Sequence, residues 1–390
     1  MLPRIFPPRE CRRRVALLAT VLSWQSLAIL PLAAASSPAS SAGLTYLTLF
    51  SEEFDGNLDI WREPHAAYGG VDVVDAGDFD LVRQGELEPG WRTRYYFGAA
   101  NPHDGRSLFG NHEAEFYVDP WYQGIGSQPL GVNPFALKDG KLAISAAPAS
   151  PQLVAQLPAS IGSTTNVREL VEYTSGALTT QKLFATQYGY FEVRAKLPAG
   201  NGLWPAFWLL PLSEQWPPEI DVFEAHGQRR NQIHVNAILT EGDKTAGFSS
   251  TAGGWEGTNP SGSYQDVTVD FHTYGLDWNA ASITWYFDGY EIARTVTPPS
   301  MHQEMYMLLN LAVGGPGSWP GEPNAATSFP AEMLIDYVRV FHLAGDFSDD
   351  GVVDANDLTR WEELWTSRLT SDDVLFDAGS AFLLWQSNAP

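Results

Sequence analysis

Between Leu44 and Leu343 the apolar positions fall in short aromatic and β-branched runs, interrupted by Gly, Pro, Asn and Asp. That is the texture of many strands and few helices. Tyr190–Lys196 (YFEVRAK) and Leu334–Val340 (LIDYVRV) alternate with a period of two, as half-buried strands do. Ile283–Arg294 reads as a hairpin, because Asp288 and Gly289 supply the positive φ angles of a two-residue turn. Residues 84–135 and 148–172 carry little strand signal and are expected to form long loops, which at that length often have a function. Spacing of three and four returns only beyond Leu343, where Leu358, Trp361, Leu364 and Trp365 share one face of a predicted helix. The expectation is an all-β sandwich with a small helical tail.

One run breaks the alternation. Glu219, Asp221 and Glu224 put three carboxylates into six residues directly after Trp216, Pro217 and Pro218. In a regular strand Glu219 and Asp221 share a face and Glu224 points the other way. A bulge with one extra residue restores Glu224 to their side, and bulges gather next to active sites. Two glutamates flanking an aspartate then suit the cleavage of a glycosidic bond with retention, which needs carboxyls about 5–5.5 Å apart, one attacking and one protonating. Glu219 is read as nucleophile, Glu224 as acid/base, and Asp221 as the group that holds and tunes Glu219. The six residues alone equally suit a solvated acidic strand or a calcium site.

The flanks decide between these readings. Tyr173–Thr180 (YTSGALTT), Tyr188–Pro198 (YGYFEVRAKLP), Gly202–Pro211 (GLWPAFWLLP) and Pro218–Glu224 (PEIDVFE) follow in one order. Gly110–Tyr117 (GNHEAEFY) precedes them, and Asn310–Gly315 (NLAVGG) and Phe329–Val340 (FPAEMLIDYVRV) come after. Together, over Leu44 to Leu343, these motifs resemble family 16 of the glycoside hydrolases. Two residues between the aspartate and the second glutamate resemble its laminarinase, agarase and carrageenase branches. The resemblance implies a β-jelly roll with a concave substrate cleft. It implies an endo-acting enzyme for a β-1,3- or mixed-linked glucan, with agar, carrageenan or an exopolysaccharide as the alternative substrate. It also implies that Trp204 and Trp208, or at least one of them, stack on sugar and that Asn111 and Glu113 line the cleft wall. Trp216, Trp319 and His226 are further candidates for substrate contact. A structural calcium on the convex side, with Glu53 or Asp336 as ligand, belongs to the same expectation. A glycan-binding protein that does not cut is the rival class, and it has no need of three acids together.

Composition narrows the partners. The chain of 390 residues has a formal charge of −23. Such acidity argues against nucleic acid and anionic membranes. Five arginines precede an apolar run from Val15 to Leu32 and then Ala33–Ala35, the pattern of a secretory signal over 1–35. Residues 1–35 carry a net +4, so their removal takes the charge from −23 to −27. The single cysteine, Cys11, lies there, which leaves the rest without thiol chemistry. A Ser/Ala/Pro linker (36–43), the catalytic region (44–343) and a C-terminal segment (345–390) follow.

In that last segment Asp346, Ser348, Asp350, Val352, Asp354 and Asp357 stand at positions 1, 3, 5, 7, 9 and 12 of a calcium loop, with Gly351 at position 6. Loop followed by helix resembles one half of a type I dockerin. A second half is suggested by Phe382–Trp385, but Ala381 stands where its last ligand belongs and only Asp372 and Asp373 remain upstream. A cohesin-like partner or a calcium-stapled cap are both consistent with it.

Overall fold

The computed structural model describes residues 46–56, 58, 90–95, 101–239 and 266–368. The signal-like segment with Cys11, the linker and the second dockerin-like half lie outside the described residues. Strands are β1 (Tyr46–Glu52), β2 (Glu115–Tyr117), β3 (Phe135–Leu137), β4 (Leu142–Pro148), β5 (Ser160–Ile161), β6 (Thr164–Thr165), β7 (Tyr173–Ser175), β8 (Ala177–Thr179), β9 (Gly189–Lys196), β10 (Leu203–Pro211), β11 (Glu219–Glu224), β12 (His234–Ile238), β13 (His272–Trp278), β14 (Ser282–Phe287), β15 (Tyr290–Val296), β16 (Met305–Val313) and β17 (Ala331–Leu343). Helices α1 (Pro151–Ala155), α2 (Val167–Leu170) and α3 (Ala355–Arg368) are short or peripheral.

Apart from the small β5–β6 pair, the strands make two packed sheets. One runs β15-β14-β13-β9-β17-β4-β7-β2, with β1 beside β17 and β3 beside β4; the other, of five strands, runs β12-β11-β10-β16-β8. Alternation decides what lies between them. From β10, Leu203, Phe207 and Leu209 enter the core, and β16 adds Met305, Met307, Leu309, Leu311 and Val313. They meet Phe191, Val193, Trp278, Trp285 and Val340 of the larger sheet. The intervening residues of β10 and β16, among them Ala206, Trp208, Leu210, Tyr306 and Leu308, form a second apolar layer on the outer face of the five-stranded sheet. Every residue of β16 is buried, in keeping with an apolar run that only Asn310 interrupts.

The predicted hairpin is present: Asp288 (φ 49°) and Gly289 (φ 76°) turn β14 into β15. Residues 101–126 and 149–172 are largely loop, as their weak strand signal implies, and are tied down by side chains. Arg106 bonds Pro102 O, Tyr117 O and Asp119 Oδ2, and lies 4.1 Å over the Tyr122 ring. α1 starts on Ser150, whose side chain accepts from Leu153 N–H, with Pro151 in the first turn.

Candidate active site

The outer face of the five-stranded sheet carries a groove of about 610 Å³. β10 and β11 build its floor, and the three acids stand there because β11 is bulged. Phe207 pairs with Phe223 and Trp208 with Asp221, which leaves Val222 as the extra residue. The same shift separates Asp221 from Glu224 along β12. Ile220, Val222 and Phe223 point into the core, while Glu219, Asp221 and Glu224 all line the groove. At the bulge the Trp285 Nε1–H of the facing sheet donates to Asp221 O at 2.8 Å. The indole thereby satisfies a carbonyl at the point where the ladder is disturbed.

Charge is arranged as strictly as geometry. Burial, then the charges of Glu224 and Glu219, push Asp221 well above the usual carboxylate range, which favours its protonated form. It shares that proton with Glu219 in a hydrogen bond that favours the ionised glutamate. Burial raises Glu219, and the bonds from Asp221 and Trp216 oppose it; the indole Nε1–H of Trp216 donates to Oε2 at 2.6 Å. Glu224 is pushed up to about 8, by burial first and by Glu219 second. Both of its oxygens accept, from Trp204 Nε1–H at 2.9 Å and from Asn236 Nδ2–H at 3.1 Å. The hydrogen bonds to Glu219 thus favour its ionised form, while burial and the charge of Glu219 favour the protonated form of Glu224, the division of labour two carboxyls need.

The walls combine aromatic faces with a few polar groups. Trp204, Trp208, Trp216, Trp319, Asn111 and Glu113 all line the groove. Trp319 is 48% exposed and meets Trp204 edge on at 5.5 Å. Its loop folds tightly because Gly314 lacks a Cβ, which would meet Ser318 Oγ at 2.2 Å and Gly321 O at 2.3 Å. Trp208 differs from the expectation of an open stacking platform. Only 7% exposed, it packs edge on against Tyr95 and gives its Nε1–H to Asn310 Oδ1 at 2.7 Å. Asn310 in turn donates to the Tyr117 hydroxyl at 3.0 Å. Burial and the charge of Glu115 push Glu113 well above the usual carboxylate range, which favours its neutral form at the groove.

His226 is placed differently from its expected contact with sugar. It is buried behind Trp319, ring to ring at 4.2 Å, with His234 beside it, 5.0 Å from His226 and 4.5 Å from the same indole. Burial lowers both imidazoles to about 4 and leaves them neutral supports for that indole. Tyr95, Asn236 and Asn310 were not singled out by sequence reasoning. Asn236 had a usable signal, since it alternates with His234 and lies opposite Asp221.

The acids weighed as calcium ligands on the sandwich are engaged otherwise. Glu53 forms a bidentate pair with Arg339, and Asp336 is bound by Arg194 and Lys141. Among the described residues no group of three or more His, Cys, Asp or Glu side chains converges as a metal site. In the C-terminal loop Asp346 accepts from the amides of Asp350 and Gly351, and Asp357 from those of Ser348 and Asp354. Ser348 Oγ is buried without a partner, an orphaned oxygen of the kind a cation satisfies. The donors are all oxygen, which suits calcium.

A two-sheet sandwich with a bulged acidic strand in an aromatic groove defines a carbohydrate-active jelly roll. Residues 153–339 match the family model of Glycosyl hydrolases family 16, and the chain carries a domain of that family. Endo-1,3-1,4-beta-glycanase EglC of Rhizobium meliloti (strain 1021) is 41% identical over 271 residues, which are 69% of this chain and 51% of the relative. ExsH, an endo-1,3-1,4-beta-glycanase of the same organism, is 39% identical over 66% of this chain and 48% of its own length. The chain thus spans about half the length of these curated relatives. Among solved structures, the endo-beta-1,3-glucanase of Pyrococcus furiosus is similar with a TM-score of 0.52 and 27% identity, over 77% of this chain and 96% of that one. The catalytic domain of an endo-1,3-beta-glucanase (laminarinase) from Thermotoga petrophila RKU-1 has a TM-score of 0.53 and 25% identity, over 77% and 99%.

Proposed function

We propose that the chain is an endo-acting β-glucan hydrolase that cleaves a β-1,3- or β-1,3/1,4-linked glucan with retention of configuration. The observation that carries the reading is the bulge at Val222, which sets Glu219, Asp221 and Glu224 side by side on the groove floor. Its relatives' names point to the same class of glucan. Glu219 attacks the anomeric carbon while Glu224 gives its proton to the departing glycosidic oxygen. Glu224, now a carboxylate, then takes a proton from water, whose oxygen displaces Glu219 and frees the sugar. Asp221 returns a hydrogen bond to Glu219 as its charge reappears. Export of the chain follows from the charged and apolar N-terminal pattern, and the loop from Asp346 to Asp357 is read as a calcium staple at the end of the sandwich.

The test is release of reducing ends from laminarin, mixed-linked glucan, agarose and carrageenan by the parent and by Glu219→Gln. Cleavage of the glucans is expected, with the variant at least about 10³-fold slower and still folded. A variant as fast as the parent removes Glu219 from the mechanism, and cleavage of a galactan alone overturns the choice of substrate.

A further inference from the structure

On the reading above, each of the two working carboxyls is held by its own tryptophan. Trp216 Nε1–H donates to Glu219 Oε2 at 2.6 Å, and Trp204 Nε1–H donates to Glu224 Oε1 at 2.9 Å. Trp216 is 63% exposed, so it fills no core. A ring used only as a platform for sugar has no need to give its single donor to a carboxylate, whereas a charge-assisted bond of that length fixes the carboxylate's orientation. Among the described residues, the other groups around Glu219 do not supply such a donor from a neutral or cationic nitrogen. Asp221 and Glu224 face it from β11, Tyr95 from the segment before Asn101, and Tyr306 from β16. Glu224 is faced by Glu219, by Glu113 from the wall and by Asn236 from β12.

We propose that Trp216 is a positioning residue for Glu219, its indole N–H orienting the attacking carboxylate, and that Trp204 does the same for Glu224. The two indoles have opposite effects on the working pH range, since Glu219 must be ionised and Glu224 protonated. Loss of either N–H disfavours the ionised form of the carboxyl it served. Without the Trp216 donor, Glu219 ionises at higher pH and the acid limb of the rate profile moves up. Without the Trp204 donor, Glu224 keeps its proton to higher pH and the basic limb moves up. One substitution narrows the range from below, and the other widens it from above.

The experiment uses Trp216→Phe and Trp204→Phe, which keep an aromatic face and remove only the donor. In Trp216→Phe the acid limb of kcat/KM is expected to rise by about one pH unit, the differential worth of a hydrogen bond to a charged group. Its kcat falls about tenfold with KM within twofold. In Trp204→Phe the basic limb rises instead. A Trp216→Phe profile that coincides with the parent's, or a rise in KM alone, overturns the proposal and leaves Trp216 a platform. A carbon-13 titration of the Glu219 carboxyl in parent and Trp216→Phe needs no substrate and so separates this inference from the assigned activity. An upward shift supports it even if no glucan is cut, and an unmoved carboxyl overturns it even if one is.

Discussion

Burying Glu224 has a consequence for stability as well as for catalysis. Its folded value of about 8 lies above the ordinary 4.5, because burial and Glu219 penalise its charge. The folded state therefore binds this proton more tightly than the unfolded chain does. The stability it contributes is complete below about 4.5 and is lost as pH rises through about 8. Glu219, Asp221 and Glu113 are raised as well and push in the same direction, so the loss spans more than one proton. Glu224→Gln carries no charge to bury at any pH. Thermal melts should place its Tm close to the parent's at pH 5 and above it at pH 9, with a flatter dependence between. A variant whose Tm falls in parallel with the parent's over that range would mean that Glu224 titrates in the folded state as it does in water.

At the scale of the element, the bulge makes a sharper demand. Removing Val222 leaves Glu219, Ile220, Asp221, Phe223 and Glu224 in plain alternation, with all three acids still outward and Ile220 and Phe223 still inward. The pairings on either side, Phe207 with Phe223 and Trp208 with Asp221, are already in register for it. Deletion of Val222 should therefore fold and keep hydrolysis well above that of Glu219→Gln. It loses the burial of one valine, about 1.5–3 kcal/mol, and strands the Trp285 N–H that now meets Asp221 O, about 1–3 kcal/mol. Deletion of Ile220 instead turns Asp221 into the core and should abolish both fold and activity. Chemical denaturation and reducing-end assays on the two deletions decide the point; equal behaviour would deny the bulge its role. Parity is also what made this strand legible in the sequence. Three acids with the wrong spacing for one face imply an extra residue, and Asp288–Gly289 states its turn outright. Tyr95 and Asn310 were hidden because they reach the groove from segments far away in the chain. His226 misled because its closeness to Glu224 in sequence says nothing of Trp319, whose loop covers it.

In the molecule as a whole, the groove and the C-terminal loop occupy different parts of one architecture. No residue of the loop lines the groove. The loop is anchored on the β13–β14 turn, where Ala280 N–H donates to Asp349 O at 3.1 Å, and on β17, where His342 Nε2 meets Asp349 Oδ1 at 2.6 Å. Gly351, at φ 83°, lies against the side chain of Asn279. The spacing of its acids was readable because a calcium loop is a local pattern; most of what it packs against was not, because Asn279 and Ala280 lie about 70 residues upstream. If the loop takes calcium, the ion binds the folded chain and not the unfolded one, and stabilises it by mass action. At a calcium concentration a hundredfold above Kd that amounts to about 2.7 kcal/mol. Such a gain should raise Tm of the full chain by about 5 °C. Chelation should reverse the rise, and Asp346→Asn should abolish it, while the rate of glucan cleavage at 25 °C stays unchanged in all three conditions. A melt insensitive to 10 mM calcium would mean that the amides of Ser348, Asp350, Gly351 and Asp354 satisfy Asp346 and Asp357 without an ion. A rate that followed the chelator would mean instead that the loop reaches the groove through contacts the fold does not contain.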